Sequence, residues 1–164
     1  MDMSHFMTDS TLILADDQAV TATAISANVI NTGADLSAGA VPGAARGRGI
    51  PVGQSAALPN QIFRAGTPIL IKVTTTFATL TSLTVTLESS AAAGLTSATT
   101  HWSSGAIAAA TLVQGYAFKI QHVPEADYLQ YVGLRFTVGG SNATAGTIHA
   151  EIGRNASSGE NGAW

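Results

Sequence analysis

The clearest alternation of apolar and polar residues along the chain lies between Pro68 and Ser90. Successive side chains of a strand point to opposite faces, so each half of this stretch has one apolar face and one mostly threonine face. The apolar positions are Ile69, Ile71, Val73 and Phe77 in the first half and Leu83, Val85 and Leu87 in the second. Only a few residues separate the two halves, which predicts an antiparallel hairpin at the centre of an all-β domain.

Further strand candidates lie on both sides of this hairpin. The apolar run 11–15 is predicted to end in a turn at residues 16–18. The uncharged run 19–30 is rich in β-branched residues without clean alternation, which predicts a strand covered on both faces. Residues 91–105 are small and polar and are not among the strand candidates. The later strand candidates are residues 107–113, 116–123, 128–138 and 145–153. About eight short strands and no convincing helix predict a single-domain jelly roll or β-sandwich of antiparallel strands.

A long region without strand pattern separates the early strands from the hairpin. Residues 31–67 contain seven glycines, three prolines and three of the five arginines. Loops of this length are uncommon in compact domains and are usually functional or disordered, so we predict an extended Gly/Pro-rich arm of a single domain. The predicted organisation is a loose N-terminus at 1–10, a β-sandwich domain at 11–153 that includes the arm, and a polar C-terminal tail at 154–164.

Composition limits the partners that this domain can bind. Charged residues make up only 10% of the chain, and the net charge is −3. We expect no nucleic-acid partner, because the dense basic patch that displaces counterions from phosphates is absent. We expect no membrane partner and an intracellular product, because no apolar run reaches the length of a bilayer span and residues 1–9 lack the pattern of a secretory signal. A surface with so little charge favours association, which predicts a symmetric homo-oligomer, a dimer or a trimer.

No group of residues has the spacing of a catalytic or metal site. Asp16 and Asp17 could form half of a carboxylate pair, but adjacent acids before a strand are more often a solvated turn. The four histidines show no metal-ligand spacing, and the chain has no cysteine. Neither a Gly-x-Ser-x-Gly elbow nor a phosphate-binding loop is present. We therefore expect no enzyme activity, no cofactor and no metal ion.

The arginines of the arm are the best candidates for a binding site. Arg46 and Arg48 lie among glycines, so the backbone can approach a partner closely while two guanidinium groups meet carboxylates. The alternative is a flexible, solvated loop. Arg64 lies in the same arm, and Trp164 ends the polar tail.

The sequence also resembles a known family over most of its length. Residues 11–33 read TLILADDQAVTATAISANVINTG, which resembles the opening of capsid cement proteins from tailed bacteriophages. The later pattern of that family is matched by residues 103–107, 110–115, 128–140 and 145–152. The sequence departs from the family at Asn31, where Asp is usual, and in a longer insertion across residues 35–65.

This resemblance implies a jelly-roll cement or decoration protein on the virion capsid surface, made in the host cytoplasm. Such a protein binds the outside of an icosahedral bacteriophage head and stabilises contacts between subunits of the major capsid protein. The candidate capsid contacts are then Arg46, Arg48, Arg64 and Trp164.

Two other functions fit parts of the sequence. One is a carbohydrate-binding or tail-associated β-sandwich module, which requires exposed aromatic side chains. The available aromatic residues are Trp102, Tyr128, Tyr131 and Trp164. The other is an enzyme on a jelly-roll frame, which requires a cluster of histidine and carboxylate side chains that the sequence does not reveal.

Overall fold

A computed structural model of the protein describes residues 12–31, 68–124, 126 and 128–153. The predicted N-terminal segment 1–10, the arm beyond Asn31 and the tail 154–164 lie outside these residues. The domain boundaries proposed from the sequence therefore stay predictions.

The described residues form nine β-strands, and a three-residue 3-10 turn lies at Ala109–Thr111. The strands are β1 (Ile13–Ala19), β2 (Ala24–Ile25), β3 (Ile30–Asn31), β4 (Ile69–Ala78), β5 (Ser82–Ser90), β6 (Thr99–Ala108), β7 (Ala117–Ile120), β8 (Tyr131–Gly139) and β9 (Ala145–Ile152). The prediction of an all-β fold is confirmed. The described part of the chain contains no helix long and apolar enough to cross a membrane.

The strands form two antiparallel sheets in a sandwich. The four-stranded sheet has the order β1-β9-β4-β7. In the five-stranded sheet, β8 pairs with β2 and β3 on one side and with β5 on the other, and β6 is the outer neighbour of β5. Each sheet therefore has an inner face, which lies toward the other sheet, and an outer face, which points away from it.

The inner faces of both sheets share one hydrophobic core. Ile69, Ile71 and Val73 of β4 and Leu83 and Val85 of β5 are fully buried, as the alternation in the sequence predicts. Burial of an aliphatic side chain of this size contributes about 1.5–3 kcal/mol relative to exposure. Phe77, Tyr128 and Phe136 are the buried aromatic residues among those described, so the core consists mainly of aliphatic side chains.

The predicted hairpin between β4 and β5 is wrong, because the two strands lie in different sheets. β4 pairs with β7 and β9, whereas β5 pairs with β6 and β8. The chain crosses between the sheets at Thr79, which has φ 75°, and Leu80, which is buried. A hairpin and a crossing both direct the apolar side chains into the core, so alternation alone does not distinguish them.

The first part of the sandwich also differs from the sequence prediction. The predicted turn at 16–18 is a β-bulge inside β1, where Asp17 has φ 45° and the pairing with β9 changes register. The predicted strand at 19–30 is replaced by the two-residue strands β2 and β3. Gln18 bonds the Ile25 carbonyl, and the Asn28 side-chain amide bonds the Ile13 carbonyl. These polar contacts join the two sheets along one side of the sandwich.

The later strands follow the predictions more closely. β8 and β9 confirm the candidates at 128–138 and 145–153. Residues 91–105, which showed no strand pattern, include the first part of β6, because β6 begins at Thr99. Of the strand candidate at 107–113, only the first two residues belong to β6. Of the candidate at 116–123, only Ala117–Ile120 form β7.

Candidate functional site

The outer face of the five-stranded sheet carries small and hydroxyl-bearing side chains around its centre. At its centre, Thr84 of β5 pairs with Thr137 of β8 on one side and with Ala106 of β6 on the other. The next outward position along β5 is Thr86, which pairs with Ser103 of β6 on one side and with Arg135 of β8 on the other. We call this surface, formed by Thr84, Thr86, Ser103, Ala106 and Thr137, the neutral face. None of its five residues carries a charge.

The described residues of the five-stranded sheet contain just two charged side chains of Asp, Glu, Lys or Arg, and these two form an ion pair. Arg135 Nε donates to Glu88 Oε2 at 2.8 Å, and Thr86 Oγ1 donates to Glu88 Oε1 at 2.8 Å. Arg135 Nη2 also donates to the Leu95 carbonyl at 2.8 Å. Glu88 is only 6% exposed and both its oxygens are bonded, so the part of this pair that a partner meets is the Arg135 side chain, which is 29% exposed and already paired.

The same network fixes the loop after β5 on the sheet. Leu95 has φ 49° and is fully buried, and its side chain lies over Gly133 of β8. A Cβ at Gly133 would lie 3.1 Å from Leu95 Cδ1 and from Ser26 Oγ. Glycine at this position therefore allows the loop to pack closely against the sheet.

The outer face of the four-stranded sheet, in contrast, carries most of the charged side chains of the described residues. We call it the charged face. Lys72 of β4 and Lys119 of β7 lie on one half of it, whereas Asp16 of β1 and Glu151 of β9 lie on the other. Along β4, buried and outward-facing side chains alternate, so Leu70 and Lys72 lie on the same outer face. Leu70 is 38% exposed.

A histidine lies between the two acidic side chains. His149 Nδ1 is 3.4 Å from Asp16 Oδ1, and His149 Nε2 is 3.7 Å from Glu151 Oε2. Sequence reasoning missed this cluster, because Asp16 and His149 are far apart in the chain and Asp16 was assigned to a turn. The sequence did indicate that His149 and Glu151 share an outward face, because they alternate with apolar residues. Within the described ranges, no set of three His, Cys, Asp or Glu side chains is placed to hold a metal ion.

A second histidine forms a buried cluster at one end of the five-stranded sheet. Ser89 Oγ and His101 Nε2 lie 2.7 Å apart, and the Leu129 N–H donates to Ser89 Oγ at 3.0 Å. The His101 ring lies 4.0 Å from the Tyr128 ring, and the Tyr128 hydroxyl donates to the Pro124 carbonyl at 2.8 Å. Burial lowers the pKa of His101 and raises the pKa of Tyr128 to about 12.

A serine bonded to a histidine is also the arrangement that activates a nucleophile. Ser89, however, has no exposed surface, and its oxygen already accepts the Leu129 N–H. The cluster joins β5 and β6 to the segment before β8, which is a structural role.

The residues selected from the sequence as contact candidates lie outside the described residues. These are Arg46, Arg48, Arg64 and Trp164. Of the aromatic residues that a carbohydrate-binding module would expose, Tyr128 is buried and Trp102 and Tyr131 are half-buried. The part of the chain that the structure describes has no exposed aromatic side chain.

Comparison with known proteins gives one family. The model of the Bbp16 family matches residues 14–152, a range that runs from β1 to the end of β9. No curated protein matches the sequence. Because the match covers most of the 164 residues, the chain belongs to the Bbp16 family.

Proposed function

We propose that this protein is a structural cement protein of a tailed bacteriophage. It binds the outside of an icosahedral head, at the virion capsid surface, and stabilises contacts between subunits of the major capsid protein. The resemblance of residues 11–33 and of the later strands to capsid cement proteins supports this function. The structural observation that carries it is the neutral face.

The neutral face suits a surface that is covered in the assembled particle. Removing an unpaired charge from water costs far more than removing a hydroxyl that finds a hydrogen-bond partner. Thr84, Ser103 and Thr137 offer such hydroxyls, and Ala106 offers a small apolar surface. A large partner can therefore cover this face at a low desolvation cost.

Stabilisation then follows from mass action. A protein that binds the assembled lattice but not separate subunits stabilises the lattice by RT ln(1 + [L]/Kd) at each site, about 2.7 kcal/mol at 100 times Kd. Contacts to two neighbouring capsid subunits at once raise the effective concentration of the second contact. Weak individual contacts therefore suffice. Arg46, Arg48, Arg64 and Trp164 stay the candidate capsid contacts outside the described residues.

The proposal is tested with heads of the parent bacteriophage that have been assembled without this protein. We expect the purified wild-type protein to co-sediment with these heads and to raise the temperature at which they break open. A wild-type protein that does not bind heads at saturating concentration would contradict the proposal.

A pair of variants then tests the contact surface. Thr137→Lys puts a charge at the centre of the neutral face, where binding must desolvate it, so we expect head occupancy to fall by at least about tenfold. Ala117→Lys is the matched control, because Ala117 is exposed on the opposite, charged face. Equal occupancy of both variants on heads would show that the capsid contacts lie away from the neutral face.

A further inference from the structure

We propose that the free edge of strand β6 binds an extended, uncharged segment of the major capsid protein, which adds to the five-stranded sheet as a further strand. This inference rests on the proposed cement function and specifies which kind of capsid segment is bound and by which groups. The observation that carries it is a ten-residue edge strand that contains neither a charged residue nor a proline.

β6 lies at one edge of the five-stranded sheet. It pairs with β5, and within the described ranges no strand pairs with its other side. Its sequence, TTHWSSGAIA, contains no Asp, Glu, Lys, Arg or Pro. Edge strands that stay unpaired commonly carry lysine or proline or are very short, because a row of free N–H and C=O groups attracts other strands.

The other sheet edges in the described part of the chain have such protection. β7 has only four residues, and its Lys119 is exposed. β1 is interrupted by a bulge at Asp17, beside the second acidic residue Asp16. β2 and β3 have two residues each. β6 is therefore the edge on which an added strand meets the least opposition.

The hydrogen bonds of β5 show which backbone groups of β6 point to the free edge. The Val85 N–H points toward β6, because it donates to Ser104 Oγ at 3.0 Å. Alternate residues of a strand direct their N–H and C=O groups to the same side, so Leu83 also faces β6, where it pairs with Ile107. The residues before and after Ile107 therefore direct their backbone groups away from β5.

Three N–H groups lie at the free edge by this alternation. Two of them belong to Ala106 and Ala108, the neighbours of Ile107 in β6. The third belongs to Ser103, because the residue before it, Trp102, pairs with Leu87, which faces β6 as Val85 does.

A bulge at Ser104 and Gly105 separates Ser103 from Ala106, where the pairing with β5 changes register. The bulge satisfies its own polar groups. The Gly105 N–H donates to Ser103 Oγ at 3.1 Å, and Ser104 Oγ donates to the Gly105 carbonyl at 2.7 Å. The free N–H groups on either side of the bulge therefore remain available to a partner strand.

The capsid protein is the occupant because this edge continues the neutral face. Ser103 and Ala106 contribute their side chains to that face and their backbone groups to the edge. A partner that covers the neutral face therefore also lies beside β6. A charged segment would be desolvated there next to Thr, Ser and Ala side chains that cannot neutralise it, so the pairing segment is uncharged. Main-chain hydrogen bonds then provide its affinity.

The first test measures hydrogen exchange of the wild-type β6 amides, free and bound to undecorated heads of the parent bacteriophage. We expect the Ser103, Ala106 and Ala108 amides to exchange fast in the free protein and at least about tenfold more slowly on heads, because a hydrogen-bonded amide exchanges only when its bond opens. Slow exchange in the free protein would overturn the proposal, since a segment of this chain or a second copy would then occupy the edge. Fast exchange on saturated heads would overturn it as well.

A proline at the edge distinguishes strand pairing from simple coverage. Ala108 has φ −64°, which proline adopts without strain, and its N–H points away from β5, so Ala108→Pro removes no hydrogen bond between β5 and β6. We expect this variant to bind heads at least about fivefold more weakly, the effect of one lost hydrogen bond. Ala108→Ser is the matched control, because it keeps the N–H and a small side chain at the same exposed position.

The two variants distinguish a failure of this inference from a failure of the cement function. A wild-type protein that does not bind heads would contradict the cement function and, with it, this inference. If the wild type binds and Ala108→Pro binds as tightly as Ala108→Ser, the pairing of β6 with the capsid protein alone is overturned. The exchange measurement uses only the wild type, so it decides the question even if the proline variant does not fold.

Discussion

At the scale of single residues, the polar side chains of this sandwich act mainly by joining segments that are distant in sequence. Ser89 accepts a backbone hydrogen bond from Leu129 and bonds His101, whose ring packs on Tyr128. These four residues come from β5, β6 and the segment before β8. Within the described residues, no buried side-chain nitrogen or oxygen is left without a hydrogen-bond partner. Satisfied polar contacts of this kind add specificity to a core with few large side chains.

His101 gives the protein a defined response to acid. Burial lowers the pKa of His101 below its ordinary value of 6.5, so the unfolded chain takes up a proton near pH 6.5 and the folded chain only at lower pH. Between these two values the unfolded state binds more protons, and the free energy of unfolding falls as the pH falls. Below the pKa of the folded state this contribution levels off.

We therefore expect wild type to lose more stability than His101→Gln between pH 7 and pH 5. Denaturant unfolding at several pH values measures the difference, and comparison with the variant cancels the contributions of the other histidines. A pH dependence that is the same in both proteins would show that the His101 ring is solvated in solution.

At the scale of elements, alternation predicted the strands but not their partners. The inward positions Ile69, Ile71, Leu83 and Val85 were correct, because a half-buried strand needs an apolar face whatever it pairs with. The pairing of β4 and β5 was wrong, because the crossing at Thr79 preserves the same inward pattern.

The other features that the sequence did not predict correctly have similar physical causes. Residues 19–30 read as one β-branched strand, yet contacts from Gln18 and Asn28 divide the chain there into two short strands. The pairing of Asp16 with His149 depends on tertiary contact between β1 and β9, which no local spacing shows. The threonine positions of the neutral face in β5 could be predicted from the alternation in the sequence. Its extension to Ser103 could not, because that requires knowledge that β6 is the neighbouring strand.

Strand β9, in which the chain returns from the five-stranded to the four-stranded sheet, gives a prediction about stability. Gly146, in β9, has φ 139°, and an added Cβ would lie 2.2 to 2.5 Å from three ring atoms of Phe77 in β4. Gly146→Ala must strain the backbone and displace a buried ring, so we expect a loss of about 2 kcal/mol or more in the free energy of unfolding.

Gly94→Ala is the matched control for this change. An added Cβ at Gly94 meets nothing within 4 Å, so we expect the free energy of unfolding to change little. Denaturant unfolding of both variants measures the difference. A Gly146→Ala variant as stable as Gly94→Ala would show that Phe77 does not pack on Gly146 in solution.

At the scale of the whole molecule, the two outer faces of the sandwich differ in how many charges a partner would have to cover. The neutral face has no charge of its own and borders the Glu88–Arg135 pair beside Thr86, so it is inexpensive to cover, which fits a large structural partner. The charged face separates acids on β1 and β9 from lysines on β4 and β7, so covering it requires the desolvation of several charges. If the protein is a capsid cement protein, as we propose, the decorated lattice gains stability from many weak sites.

The most direct test of this account is an electron-microscopy reconstruction of undecorated heads of the parent bacteriophage after addition of the purified protein. The account predicts ordered density on the outside of the shell, into which the sandwich fits with its neutral face toward the major capsid protein and its charged face directed away from the shell. A reconstruction without added density at saturating protein would contradict the cement function. Density in which the charged face contacts the shell would contradict the assignment of the two faces.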